Sequence, residues 1–295
     1  MSNITAGMVK ELRERTGSGM MECKKALTET QGDLEAAVEL MRKAGLAKAD
    51  KKSGRTAAEG CVCCKSSPDG TKASIVEINS ETDFVAKGDD FVAFSNLVAE
   101  TGLASGAKTL EELLEAKIAG TGETVEEARR AMVAKIGENI AVRRYERFET
   151  AVGLVANYLH GSRIGVLVEL EGGDAELGKD VAMHVAASKP SCIDETGVDS
   201  DLVEKEKAIF SAQAAESGKP ANVIEKMVEG RVKKFLGEIT LVGQAFVKDP
   251  DQTVAQLLSS KGAKVARFVR LEVGEGIEKV ESNFAEEVMA QVRAS

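Results

Sequence analysis

The sequence predicts an α+β protein in which strand hairpins lead into helices behind a small helical N-terminal module. Three observations carry this. Short apolar, β-branched runs such as ASIVEI (73–78) and RIGVLVEL (163–170) have strand character. Longer stretches between them repeat their apolar residues every three or four positions, as helices do. Superposing SIVEI (74–78) on VLVEL (166–170) aligns a hairpin and a following helix in both places, which suggests a duplicated core.

The first part of the chain reads as three short helices. Met8, Val9 and Leu12 mark the first, which stops at Gly17; Met20, Cys23, Ala26 and Leu27 mark the second. Leu34, Ala37, Val38 and Met41 mark the third, with Asp33 as N-cap and Gly45 as its stop. Such a core is small for independent stability. The stretch AKADKKSGRTAAEG (47–60) then reads as a charged linker, making a tethered docking module.

CVCCK and ASIVEI flank SPDG (67–70), where proline suits the first central turn position and glycine tolerates the positive φ that follows. This is a β-hairpin. A helix follows from Asp90 with Phe91, Phe94 and Leu97 on its inward stripe. Two more helices open on expected capping boxes, Thr109 with Glu112 and Thr124 with Glu127, the second ending at Gly137. Ile140, Val142 and Arg144 alternate with Ala141, Arg143 and Tyr145 in an edge-like strand. In the second copy, AVGLVANYL (151–159) and RIGVLVEL flank HGS, and the helix from Ala175 puts Leu177, Val181, His184 and Ser188 on one stripe.

Residues 199–236 read as an antiparallel helical hairpin joined at SGKP, a coiled coil in which Leu202, Glu206, Ile209 and Gln213 face Val223, Met227 and Phe235. ARFVRLEV (266–273) supplies another strand, and a terminal amphipathic helix carries Phe284 and Val288. The expected divisions are 1–54 for the helical module and linker, 55–146 for the first core unit, 147–198 with 237–266 for the second, 199–236 for the hairpin, and 267–295 for a C-terminal strand and helix.

Composition narrows the function. A net charge of -9 argues against nucleic acid as the main ligand. No apolar run reaches the ~18 residues of a membrane helix, and the N-terminus lacks a signal-peptide core, so the expected compartment is the cytoplasm. Cys23, Cys61, Cys63, Cys64 and Cys192 carry no disulfide-rich spacing. SGKP lacks the leading glycine and the hydroxyl of a phosphate loop, and GEGIEK (274–279) has two of the three glycines of a dinucleotide fingerprint. Cys61, Cys63 and Cys64 lack further ligands for zinc; on a strand Cys61 and Cys63 share one face and Cys64 takes the other. No cofactor and no enzymatic chemistry are expected.

SETDFVAKGDDF (80–91) is the most informative segment. Phe84 stands between Asp83 and Val85 in the connection from strand to helix, among residues that prefer water. It is either presented to solvent or tucked under its own loop. His184 has two readings as well, a satisfied core histidine or a half-exposed contact.

Five segments, LRERTGSGMMECKKAL (12–27), TDFVAK (82–87), KIGENIAVRR (135–144), MHVAASKP (183–190) and FVRLEVGEGIEK (268–279), make the chain resemble the bacterial elongation factor Ts family along essentially its whole length. The resemblance implies a guanine-nucleotide exchange factor for the GTPase elongation factor Tu, acting on its GDP-bound and nucleotide-free forms. Thr82, Asp83, Phe84 and Val85 would displace the magnesium ion from the GTPase. Leu12, Met20 and Met21 in a ubiquitin-associated-like module would dock on its nucleotide domain, with His184 and Phe284 as further contacts. A homodimer and a 2:2 complex with the GTPase both remain open. The three clustered cysteines depart from the family pattern and leave redox sensitivity open.

Overall fold

The computed structural model describes residues 4–278. Three helices open it, α1 (Ala6–Thr16), α2 (Met20–Glu29) and α3 (Leu34–Lys52). Thr5 and Asp33 cap α1 and α3 by accepting backbone N–H groups of Met8 and Ala36, and Gly17 ends α1 at φ 66°. Leu12, Cys23, Leu27 and Ala37 form the buried core of this module.

Gly45 does not stop the third helix, which continues to Lys52. Its lack of a side chain serves a different purpose. A Cβ on Gly45 would come 2.9 Å from the Ala134 Cβ, so the glycine lets α3 cross closely over a later helix. The Arg42 guanidinium pairs with Glu127 at 2.6 Å, and the Lys52 ammonium donates to the Gly137 carbonyl. The expected linker therefore shrinks to residues 53–58, and the module is seated on the core rather than tethered to it.

The core begins with β1 (Glu59–Ser66) and β2 (Lys72–Ser80), then α4 (Asp83–Ala86), α5 (Asp89–Ser105), α6 (Leu110–Glu115), α7 (Val125–Ile136) and β3 (Ile140–Glu149). The strands make an antiparallel sheet in the order β1-β2-β3. Phe91, Phe94 and Val98 of α5 pack on Val76, Ile78 and Ile140 of its inner face. The capping box at Thr124 and Glu127 closes in both directions. At Thr109 the box is not reciprocal: Thr109 accepts the Glu112 N–H at 3.2 Å, but the Glu112 carboxylate takes the Lys108 N–H instead.

The second unit comprises β4 (Leu154–His160), β5 (Ile164–Glu171) and α8 (Ala175–Ser188), then α9 (Ser200–Ala215) and α10 (Ala221–Ile239), and finally β6 (Ala245–Phe246), β7 (Asp249–Thr253), α11 (Val254–Ser260) and β8 (Lys264–Glu272). Its main sheet has the order β4-β5-β8. The strand expected to open a separate C-terminal module is thus the third strand of this sheet, paired along β5. The terminal helix, with Phe284, lies outside the described residues.

The two sheets meet back to back. Val62, Ile75 and Phe148 of one pack with Val155, Leu167 and Leu271 of the other. The cysteines divide as strand alternation requires: Cys61 and Cys63 face the first core, and Cys64 faces the layer between sheets, where burial pushes its thiol up to about 12. The helical hairpin is present with Phe235 in its seam as expected, but opposite it the seam runs through Phe210 and Ala214 rather than Ile209 and Gln213, and Val228 is buried beside the expected Met227. Ala214 and Val228 are buried in it and the Phe210 and Phe235 rings meet at 6.5 Å, while Leu202, Ile209 and Val223 face solvent.

A buried carboxylate joins the layers at the far end of β8. Glu77 of β2 is fully buried and accepts from Arg143 at 3.1 Å, from Arg144, from the Asn79 amide at 3.0 Å and from the Gly274 N–H at 2.8 Å. Gly274 sits at φ 75°, where a Cβ would meet the Ala58 carbonyl at 2.4 Å. Close backbone approach, rather than a nucleotide, explains the glycine of GEGIEK.

Candidate functional site

At the end of β2 the chain makes a single helical turn, and its local sequence shows why. Thr82 holds extended angles (φ -122°, ψ 155°) and accepts the Val85 N–H on its hydroxyl at 3.4 Å, the geometry of an N-cap. Main-chain bonds from Ala86, Lys87 and Gly88 to the carbonyls of Thr82, Asp83 and Val85 close α4. A helical turn rotates successive side chains by ~100°. Val85 and Ala86 consequently pack on the first core while Phe84 points away, 84% exposed. Of the two readings of Phe84, the structure takes the presented one.

Its flanks are polar and fixed. The Lys87 ammonium, hydrogen-bonded to Asp83 at 2.7 Å, holds that carboxyl below its usual range and ionised at neutral pH. Glu138, in the turn from α7 to β3, accepts the Thr82 N–H at 3.0 Å and the Thr82 hydroxyl at 2.8 Å. Glu81 accepts the Asn139 N–H at 2.6 Å, and the Asn139 amide donates to the Arg55 carbonyl at 2.7 Å. Burying a phenylalanine gains roughly 1.5–3 kcal/mol. Two hydrogen bonds to a carboxylate, at about 1.5–3 kcal/mol each, are enough to offset that pull.

The remaining expected residues are spread over the molecule. Met20 and Met21 begin α2 and are 61% and 77% exposed, a flexible apolar pair available for contact. Leu12 is fully buried in the helical module, so its side chain packs α1 on α2 and α3 and offers no surface.

His184 is also fully buried, not half-exposed. Its Nδ1 accepts the Val247 N–H at 3.1 Å, which assigns the proton to Nε2, 2.9 Å from the Gln244 carbonyl oxygen. The ring thus holds the loop before β7. Burial lowers its pKa below 6.5, so as pH falls the unfolded chain takes up this proton before the folded one does. The stability of the fold is expected to be unaffected by this group above about pH 6.5 and to decline below it. Urea unfolding between about pH 7.5 and about pH 5.5 measures the decline, and a His184→Gln chain with an equally steep profile would remove His184 as its source.

Glu138, Glu81 and Asn139 had no signal in the hydrophobic pattern. They are polar residues at element ends, and only folding brings Glu138 to Thr82 across 56 positions. Among the described residues, no group of three or more His, Cys, Asp or Glu is arranged to hold a metal ion, and no helix is long and apolar enough to cross a membrane.

Thr82–Val85 thus sets an exposed aromatic ring on a braced turn beside a mixed α+β core. The family model for elongation factor Ts matches residues 81–275, a span that includes Thr82–Val85 and Glu138. An elongation factor Ts of Methylococcus capsulatus is 74% identical over 294 residues, covering 99% of this chain and all of the relative. Those of Alkalilimnicola ehrlichii and Legionella pneumophila strain Paris are 65% and 55% identical, again over 99% of the chain. The chain belongs to the elongation factor Ts family.

Proposed function

We propose that this chain is a guanine-nucleotide exchange factor that binds elongation factor Tu in the cytoplasm and releases its GDP so that GTP can enter. The observation that carries the reading is Phe84, presented at 84% exposure on a turn braced from behind. GDP on a GTPase depends on a magnesium clamp over its phosphates. A side chain that enters an apolar pocket nearby can move the groups that hold the metal's water shell without touching the nucleotide. Phe84 supplies that wedge, Val85 seats it, and ionised Asp83 perturbs the same polar network.

The chain acts here by contact and makes or breaks no covalent bond. It binds the empty GTPase more tightly than the GDP form, and linkage makes that coupling reciprocal, so the ratio of GTP to GDP sets the direction. Met20 and Met21 form a second contact on the helical module, which we read as ubiquitin-associated-like. The two sheet-and-helix units, read as a duplication, space these contacts apart.

The test is release of fluorescent GDP from elongation factor Tu, with and without EDTA. With magnesium present the chain should speed release by about tenfold or more, which needs only about 1.4 kcal/mol off the release barrier. When EDTA has already removed the metal, most of that advantage should vanish. No acceleration with magnesium would end the exchange reading; equal acceleration in both conditions would end the metal-displacement step.

A further inference from the structure

We propose that Glu138 is a positioning residue for the contact turn, gripping Thr82 at two points and so keeping Phe84 outside. This rests on the reading of Phe84 as the exchange element. A helix of four residues does not persist on its own hydrogen bonds. Phe84 gains by turning inward, so something other than its own packing holds it out.

The hydroxyl of Thr82 has one proton. That proton goes to Glu138 Oε1 at 2.8 Å, which leaves the oxygen's lone pairs facing the Val85 N–H at 3.4 Å. The second carboxylate oxygen takes the Thr82 N–H at 3.0 Å, fixing the extended backbone that an N-cap requires. Carboxylate, hydroxyl and amide therefore form one chain that ends at the start of α4.

Val85 and Ala86 anchor the inner side of the turn on the first core, and the other polar braces are weaker. The Asp83–Lys87 pair is exposed on both sides and screened by salt. The Ser80 hydroxyl holds only the Thr82 carbonyl, at 2.9 Å. Glu138 is itself held in place, because its neighbour Asn139 donates its N–H to Glu81 and its amide to the Ser53 and Arg55 carbonyls. Gly137 in turn receives Lys52. The 137–139 turn is thus gripped by the end of β2 and by the exit of the helical module before any partner arrives.

The experiment uses the full chain in four forms: Glu138→Gln, Thr82→Ala, their combination, and Phe84→Ala. Glutamine keeps the shape of Glu138 but turns an NH2 group toward one of the two Thr82 donors. In the free chain, hydrogen exchange at the Val85 amide should speed up by about tenfold in Glu138→Gln with the thermal midpoint nearly unchanged. With elongation factor Tu, the maximal GDP-release rate at saturating factor should fall about fivefold or more. The factor concentration giving half that rate should move less, since Met20 and Met21 still dock. The double variant should be no slower than the slower single one, because both changes break one chain of bonds.

Wild-type Val85 exchange in Glu138→Gln would overturn the proposal whether or not any partner responds. Additive losses in the double variant would also overturn it, placing Glu138 in direct contact with the GTPase. If Phe84→Ala alone releases GDP at the wild-type rate, the wedge reading falls while the Val85 measurement still decides the grip. If Phe84→Ala is slow and Glu138→Gln is not, the wedge stands and the positioning role is lost.

Discussion

Replacing Phe84 by alanine is expected to slow GDP release from elongation factor Tu by about tenfold or more, a typical loss when a central contact residue is truncated. The thermal midpoint should stay within a degree or two of the parent, because exposed side chains outside special features change stability by about 0.5 kcal/mol or less. This combination is what makes the variant informative. Phe84 is 84% exposed and contributes nothing to either core, whereas its neighbour Val85 packs on the first one. Val85→Ala would lower stability and exchange together and leave the cause ambiguous. Phe84→Ala separates the two, and a variant that exchanges at the parent rate would remove the wedge.

Phe84→Leu should fall between the two, since leucine keeps apolar volume but loses the flat ring and its edge contacts. Asp83→Asn, on the same turn, keeps the shape and removes the charge that pairs with Lys87. A loss there with Phe84 intact would assign part of the effect to the polar network around the metal.

The sequence made the local features legible because each is set by neighbours along the chain. Gly17, Asp33 and the box at Thr124 and Glu127 act within one helical turn, and all three do what their spacing predicts. Strand alternation placed Cys61 and Cys63 against Cys64 without any tertiary knowledge.

What stayed hidden was set by partners far along the chain. Gly45 reads as a stop, yet α3 runs on through it, and the glycine instead leaves the space into which Ala134 packs. In the helical hairpin, Ile209 and Phe210 fit the same heptad spacing, and only the Phe235 ring opposite selects Phe210. Leu12 and His184 lie on periodic apolar stripes, which mark an inward face, and both are buried there. The contact turn itself was half legible: the aromatic stands out in TDFV, whereas the carboxylate that braces it is one glutamate among many until the fold delivers it.

The second large effect concerns stability, and it lies at Glu77. Its carboxylate is fully buried and meets donors from Arg143, Arg144, Asn79 and Gly274. Truncation to alanine leaves two guanidinium groups and a main-chain N–H facing an empty site. Breaking a buried pair in this way costs about 3–5 kcal/mol. Both arginines remain 28% exposed and keep main-chain partners, Arg143 at the Glu275 carbonyl and Arg144 at the Glu272 carbonyl, each at 2.6 Å. Partial hydration and these surviving bonds favour the lower end of that range. Glu77→Ala should therefore lower the thermal midpoint by roughly 6–12 °C in a domain of this size. Glu77→Gln should lose less, since its oxygen can still accept the Gly274 N–H while the ion pairs are gone. A third variant decides whether charge or mere volume matters: Glu77→Met fills the space but takes the carboxylate away from both arginines, leaving Arg143 its carbonyl partner and Arg144 its carbonyl and Glu275, so it should be nearly as unstable as alanine. If Glu77→Met instead matches the parent in urea unfolding, the arginines are satisfied by water and by the carbonyls of Glu272 and Glu275, and the carboxylate is not what fastens β8 and its turn to the first sheet.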